Sequence, residues 1–190
     1  AYDHEDCVDF RENPLSVFVS LNSLTAEAPA DAAYPEFCGA DGIECLEDHI
    51  AMWQDIQDAA EDAYDRTDAC TFTSFVGYEW TANPGTLNLH RNVIFRNEVV
   101  PELPTSYFDE PTPEGLWAAL RRDCIDAEGR CDALAIPHNS NLSSGLMFQE
   151  LDSAGNPFDR DYAAERRFME PLIEIFQHKG DSECSPESST

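Results

Sequence analysis

Two runs of β-branched and aromatic residues, CTFTSFVGYEW (70–80) and LNLHRNVIFRN (87–97), flank the turn residues TANPGT (81–86). This pattern constrains the chain more than any other. Val, Ile, Phe, Tyr and Thr at such density favour extended backbone, and Asn-Pro-Gly between them supplies a reversal. A β-hairpin is expected. Its polar members then need an explanation, because Glu79, His90, Arg91 and Arg96 stand among the apolar residues. A carboxylate near the end of an apolar strand is costly to bury unless it is paired or bound to a cation. Glu79 is therefore read either as a metal ligand or as the partner of Arg91 or Arg96 across the hairpin. His90, taken alone, is more simply a structural histidine.

The flanking sequence sets these strands in a mixed architecture. From Leu46 to Tyr64, Ile50, Trp53, Ile56, Ala60 and Ala63 recur at three- and four-residue steps with acids between them, which predicts an amphipathic helix. PEGLWAALRRDC predicts a second helix, with Thr112 as its cap and Pro113 in its first turn. RDYAAERRFME predicts a third, whereas DALAIPHN and PLIEIFQHKG read as apolar strands running into polar residues. Strands alternating with helices imply an α/β fold with a mainly parallel sheet. In such folds ligands gather at the carboxyl ends of strands, where His138 and His178 both fall.

His138 is the better placed of the two. The strand delivers it into a loop with Asn139, Ser140, Asn141 and Ser143, whose side chains can hold a ring or contact a substrate. His178 and Lys179 lie in QHKGDSE, where Gly180 permits a turn and Lys179 can meet an anion; a solvated loop is the plainer reading. No G-x-S-x-G elbow, P-loop, G-x-G-x-x-G or H-E-x-x-H is present. The loop DSAGNPFDRD has its glycine in the wrong position for an EF-hand.

Charge excludes one class of function. Asp and Glu number 38 against 11 Lys and Arg, for a net charge of −27. Such a field repels nucleic acid and anionic membranes. A small anionic substrate is compatible only where a metal or a local basic cluster inverts the potential. No apolar run reaches transmembrane length, and the first residues are not a signal peptide. Residues 1–45, rich in Pro, Ala and acids, are expected to be mostly loop around one apolar run, LSVFVSLNSL; residues 46–184 form the α/β domain, and 185–190 a truncated tail. The acidic start and the Ser/Pro end read as the boundaries of a fragment.

The seven cysteines include two pairs with the same spacing, Cys38 with Cys45 and Cys124 with Cys131. Both intervening loops contain Gly and Asp and can close a short ring. Zinc is the rival, but C-x-x-C is absent and neither pair has a clear fourth ligand. Disulfides are favoured over zinc, with reduced thiols as the remaining alternative. Bridges imply an oxidising setting and hence an exported protein, periplasmic or extracellular.

Four blocks taken together, FTSFVGYEWT, NLHRNVIFRN, LAIPHNSNLSSGLMF and EPLIEIFQHKGDSE, resemble DUF3604, a bacterial family of uncharacterised proteins. That family is similar to the PHP (polymerase and histidinol phosphatase) superfamily. The resemblance covers the chain from about Leu46 onward. It implies part of a distorted (β/α)7 barrel with up to three divalent metals, manganese or zinc with iron as a further choice, at the carboxyl ends of the strands. Glu79 would then be the mid-chain carboxylate ligand, His138 one of the later histidine ligands, and either His90 or His178 the other. Arg91, Arg96, Lys179, Asn139 and Asn141 would be the candidates for holding an anionic substrate. The superfamily's H-x-H and D-x-H elements are absent here, so the chain is expected to carry an incomplete metal site. The implied function is a metal-dependent hydrolase, a phosphoesterase when full length. The alternative is a non-catalytic exported domain that binds a ligand or partner.

Overall fold

The computed structural model describes residues 8, 11–26, 34, 38–39, 41–178 and 180–181. The expectation for Lys179 lies outside them. The apolar run LSVFVSLNSL, expected within loop, forms helix α1 (Pro14–Ala26). It is tied to the turn after the first strand through Asn83, whose side-chain amide lies 3.3 Å from Thr25 Oγ1. Helix α2 (Leu46–Ala63) follows its predicted bounds. Of its apolar stripe only Trp53 is buried, and the indole N–H donates to Pro101 O at 2.9 Å. Ile50 and Ile56 remain exposed.

The sheet consists of β1 (Gly77–Trp80), β2 (Arg91–Phe95) and β3 (Ala133–Pro137) in that spatial order. Both pairings are antiparallel, with Trp80 opposite Arg91 and Arg91 opposite Pro137. This corrects the expected mainly parallel sheet, and no barrel closes among the described residues. The cause lies in the connection from β2 to β3. Although it contains a helix, it returns to the end of the sheet from which it left. Arg96 N–H donates to Asp132 O at 2.9 Å and the Asn97 side chain to Arg130 O at 3.0 Å, so both ends of the excursion are pinned together. A parallel return would need the chain to cross to the other end. The first predicted strand is also shorter than CTFTSFVGYEW, because only Gly77–Trp80 forms the ladder with β2. Gly77 itself is required by that pairing, since a Cβ there would lie 2.8 Å from Val93 O.

Within the excursion, α3 (Pro113–Leu120) starts as its sequence predicts. Thr112 accepts a hydrogen bond from Gly115 N–H at 3.1 Å, satisfying one of the donors that a helix start leaves open. Its Leu116, Trp117 and Leu120 are buried in one cluster with Trp80, Val93, Phe95 and Ala135 of the sheet, and Ala119 is buried as well. A π-turn (Arg121–Ile125) carries the chain on to Cys124.

The two predicted cysteine pairs are both bridged. Cys38–Cys45 and Cys124–Cys131 each have a Cα separation of 4.9 Å, inside the usual range for disulfides. The second clips the end of the α3 region to the start of β3. Among the described residues Cys70 is unbridged and exposed.

Helix α4 (Arg160–Met169) is capped by Asp159, which accepts from Tyr162 N–H at 2.8 Å, and it buries Met169. PLIEIFQHKG does not form the full strand expected of it. Only Phe176–Gln177 (β4) pairs, with Gly180–Asp181 (β5), around a turn at His178. Before it, Leu172, Ile173 and Ile175 are exposed, and one backbone hydrogen bond, Glu174 N–H to Pro137 O at 3.0 Å, ties the segment to β3. Among the described residues no helix is long and apolar enough to cross a membrane.

Candidate metal centre

Side chains alternate between the two faces of a sheet. The β1–β2–β3 register therefore divides the polar residues of the hairpin. Trp80, Arg91, Val93 and Ala135 point to the buried face. Glu79 lies opposite Asn92 on the other face, and His90 and His138 each stand two residues beyond a member of that face. The backbone N–H of His138 donates to His90 O at 3.3 Å, which sets the two imidazoles side by side. Their ring centroids are 5.6 Å apart at 67°. Glu79 reaches both rings diagonally, a distance that long cross-strand side chains can span. Its Oε1 is 2.8 Å from His90 Nδ1 and 3.5 Å from His138 Nε2.

The alternative partners for Glu79 are engaged elsewhere. Arg91 is 3% exposed and pairs through Nε with Glu170, itself 2% exposed, at 2.9 Å. It also donates to Leu89 O. Arg96 lies at the surface, 3.3 Å from Asp132. Neither contacts Glu79. His178 sits exposed in the β4–β5 turn, and the cluster draws on His90 instead. Asn139 adjoins the cluster, with its Nδ2 3.0 Å from His138 Nδ1. Asn141 is exposed on the following turn, Ser140–Leu142.

One ligand atom from each of Glu79, His90 and His138 lies within 4.8 Å of the others, so the three can hold a metal ion. The proximity of His138 and the hydrogen bond from His90 hold the Glu79 carboxyl well below the ordinary carboxylate range, against the opposing effect of partial burial. The 3.5 Å approach of His138 is longer than a good hydrogen bond, so the 2.8 Å contact with His90 is the firmer of the two. A hydrogen-bonded Glu–His pair serving structure alone is the bland account of this geometry. Two observations count against it. His90 Nε2 and His138 Nε2 are buried without a hydrogen-bond partner, an expensive arrangement unless something else satisfies them. Two neutral nitrogens and one carboxylate oxygen are also a donor set that suits zinc, manganese and iron.

The backbone around the site is built for this presentation. β3 ends at Pro137, and Asn139 takes a left-handed conformation (φ 57°, ψ 35°) that turns the chain sharply after His138. Asn tolerates this region better than most residues. Beyond it Ser143 is fully buried, with its hydroxyl donating to Ser140 O at 2.7 Å. A cavity of about 600 Å³ lined by Met52, Trp53, Tyr78 and Leu103 contains none of the three cluster residues. The cluster lies instead on the open face.

Sequence reasoning missed Glu174 and Gln177. Glu174 Oε2 is 3.8 Å from His138 Nδ1, and Gln177 Nε2 donates to Glu174 and to Asn139 Oδ1 at 2.8 Å each. The signal was present. Glu174 is a lone carboxylate in the apolar run PLIEIF, the same anomaly that singles out Glu79.

The profile of one family, described as a protein of unknown function (DUF3604), matches residues 11–190. No curated protein and no solved structure matches the chain.

Proposed function

The chain belongs to the DUF3604 family of proteins of unknown function, and we propose that it supplies metal ligands to a metal-dependent hydrolase that acts on phosphoesters when full length. The observation that carries the proposal is the Glu79–His90–His138 cluster with its two buried, unpartnered imidazole nitrogens. The resemblance to the PHP superfamily supports the same chemistry through ligand types. Its parallel barrel is not proposed, because the sheet here is antiparallel.

Glu79, His90 and His138 would hold the ion. Manganese or zinc fits this set best, with iron as a further fit. A divalent ion bound there would lower the pKa of a coordinated water and polarise a phosphoryl oxygen. Three protein donors leave coordination positions open for water and substrate. The protein's own part is positional. The His138 N–H to His90 O bond keeps the rings adjacent, and the hairpin register carries Glu79 to them. Glu79 brings the only negative charge among the three donors, offsetting part of the ion's charge while the imidazoles remain neutral. The carboxylate is ionised well into acid, so it is ready to coordinate at neutral pH. Two disulfides fit an oxidising compartment, and we propose an exported location. Arg91 and Arg96, both in ion pairs away from the cluster, are not assigned to substrate binding.

The test is hydrolysis of a generic phosphomonoester by the full-length protein with added manganese or zinc, alongside metal analysis. The proposal requires metal-dependent turnover that Glu79→Gln abolishes without loss of folding. A protein that binds the ion but cleaves no phosphoester would point to the second reading, a ligand- or partner-binding domain. The exposed apolar residues Leu172, Ile175 and Phe176 beside β3 favour that reading.

A further inference from the structure

The side of His138 remote from Glu79 carries a hydrogen-bond relay whose direction is fixed by chemistry. Glu174 is its origin, because an ionised carboxylate only accepts. Gln177 must therefore turn its amide nitrogen toward Glu174, at 2.8 and 3.0 Å from the two carboxylate oxygens. The same nitrogen lies 2.8 Å from Asn139, which must then present its amide oxygen. Asn139 is left to offer its own nitrogen to His138 Nδ1 at 3.0 Å. Reversing either amide would set donor against donor or acceptor against acceptor. In this arrangement Nδ1 of His138 accepts, and the ring proton sits on Nε2, facing Glu79 Oε1 at 3.5 Å. That tautomer cannot bind a cation through Nε2, because a ligating nitrogen must offer its lone pair.

We propose that Glu174 is a positioning residue that switches His138 into its metal-binding tautomer; this rests on the reading of Glu79, His90 and His138 as a metal centre. When a divalent cation takes the Nε2 lone pair, the Nε2 proton passes to water and Nδ1 takes one up, with no net change in protons on the ring. The new Nδ1–H needs an acceptor, and the Asn139 amide nitrogen is not one. Glu174 Oε2 stands 3.8 Å from Nδ1, about 1 Å beyond hydrogen-bond length. It closes that gap and Asn139 yields its place. A metal-bound histidine commonly donates its second N–H to a carboxylate in this way. Gln177 holds the carboxylate in range, and the Glu174 N–H to Pro137 O bond ties its backbone to β3. In the metal-free protein the relay instead keeps His138 in the non-binding form, so the switch itself lowers affinity when it cannot complete.

The experiment is histidine ¹⁵N NMR with zinc titration, on the wild-type protein and the variants Glu174→Gln and Gln177→Ala, with circular dichroism as the folding control. His138 is expected as the Nε2–H tautomer without zinc and the Nδ1–H tautomer with it. Glu174→Gln should weaken zinc binding about 10- to 100-fold. Gln177→Ala, which frees the Asn139 amide to turn, should give mixed tautomers in the metal-free protein. Zinc uptake with unchanged affinity in Glu174→Gln, or an Nδ1–H tautomer already present in the metal-free wild type, overturns the switch and leaves the metal centre standing. A wild-type protein that takes up no zinc overturns both.

Discussion

The two faces of one three-stranded sheet treat charge in opposite ways. On the buried face Arg91 meets Glu170, and every element around them contributes. Trp117 Nε1–H donates to Glu170 Oε1 at 3.1 Å, Arg166 approaches Oε2 at 3.3 Å, and the Arg91 guanidinium stands 5.7 Å from the Trp80 ring. On the open face Glu79 meets two imidazoles, through His90 Nδ1 at 2.8 Å and His138 Nε2 at 3.5 Å, and neither Nε2 has a hydrogen bond. The neighbours His90 and Arg91 are separated by one residue step and have opposite fates. A closed, satisfied ion pair is what a core requires when it must hold a charge. A cluster with donors to spare is what a binding site requires. Burial alone therefore does not separate the two clusters; the satisfaction of their hydrogen-bonding atoms does.

Breaking the closed cluster should have the largest effect. Glu170→Ala leaves the Arg91 guanidinium buried without its partner and should cost about 3–5 kcal/mol in urea unfolding. The same measurement on Glu79→Gln should show a loss below about 1 kcal/mol, because Glu79 is 42% exposed and solvent replaces part of what it loses. Comparable losses from the two would erase the distinction between the faces.

The Cys124–Cys131 bridge binds the two sides mechanically, since it fastens the α3 region, packed on the buried face, to the strand that leads into His138. Replacing both cysteines by serine should lower stability by about 2 kcal/mol, the figure expected for a short loop. A finer cut is Trp117→Phe, which keeps most of the packing and removes one donor to Glu170. It should cost about 1 kcal/mol and leave metal uptake unchanged.

The smallest effect is one of pH. The folded state holds the Glu79 carboxyl below its ordinary range, so this group adds stability above the unfolded pKa and loses it as the pH falls. Wild type and Glu79→Gln, compared by thermal unfolding without metal, should therefore converge as the pH drops from about 5. A gap that widens in acid would contradict the sign.

How far the sequence foretold this is best seen residue by residue. The hairpin, the Thr112 cap and both cysteine pairs were legible because each depends on a local pattern. Glu79 and His138 were legible as anomalies at the ends of apolar strands. The antiparallel return of β3 was not, because alternation of strand and helix does not say at which end of the sheet a connection closes. That depended on the Arg96 N–H meeting Asp132 O, far apart in sequence. The choice between Arg91 and the histidines as partners for Glu79 was equally hidden. It turns on which face each side chain takes, and hence on register, which only the pairing of Glu79 with Asn92 fixes. Helix α1 was missed because LSVFVSLNSL is rich in β-branched and hydroxyl residues with weak helix propensity.

The central claim is that the open-face cluster is a metal site, and zinc titration by calorimetry on wild type and Glu79→Gln tests it most directly. The account predicts uptake of about one ion per chain by the wild type, lost or severely weakened in the variant while the fold is retained. Wild-type protein that binds no zinc and no manganese, or a Glu79→Gln variant that binds as tightly as wild type, would contradict it.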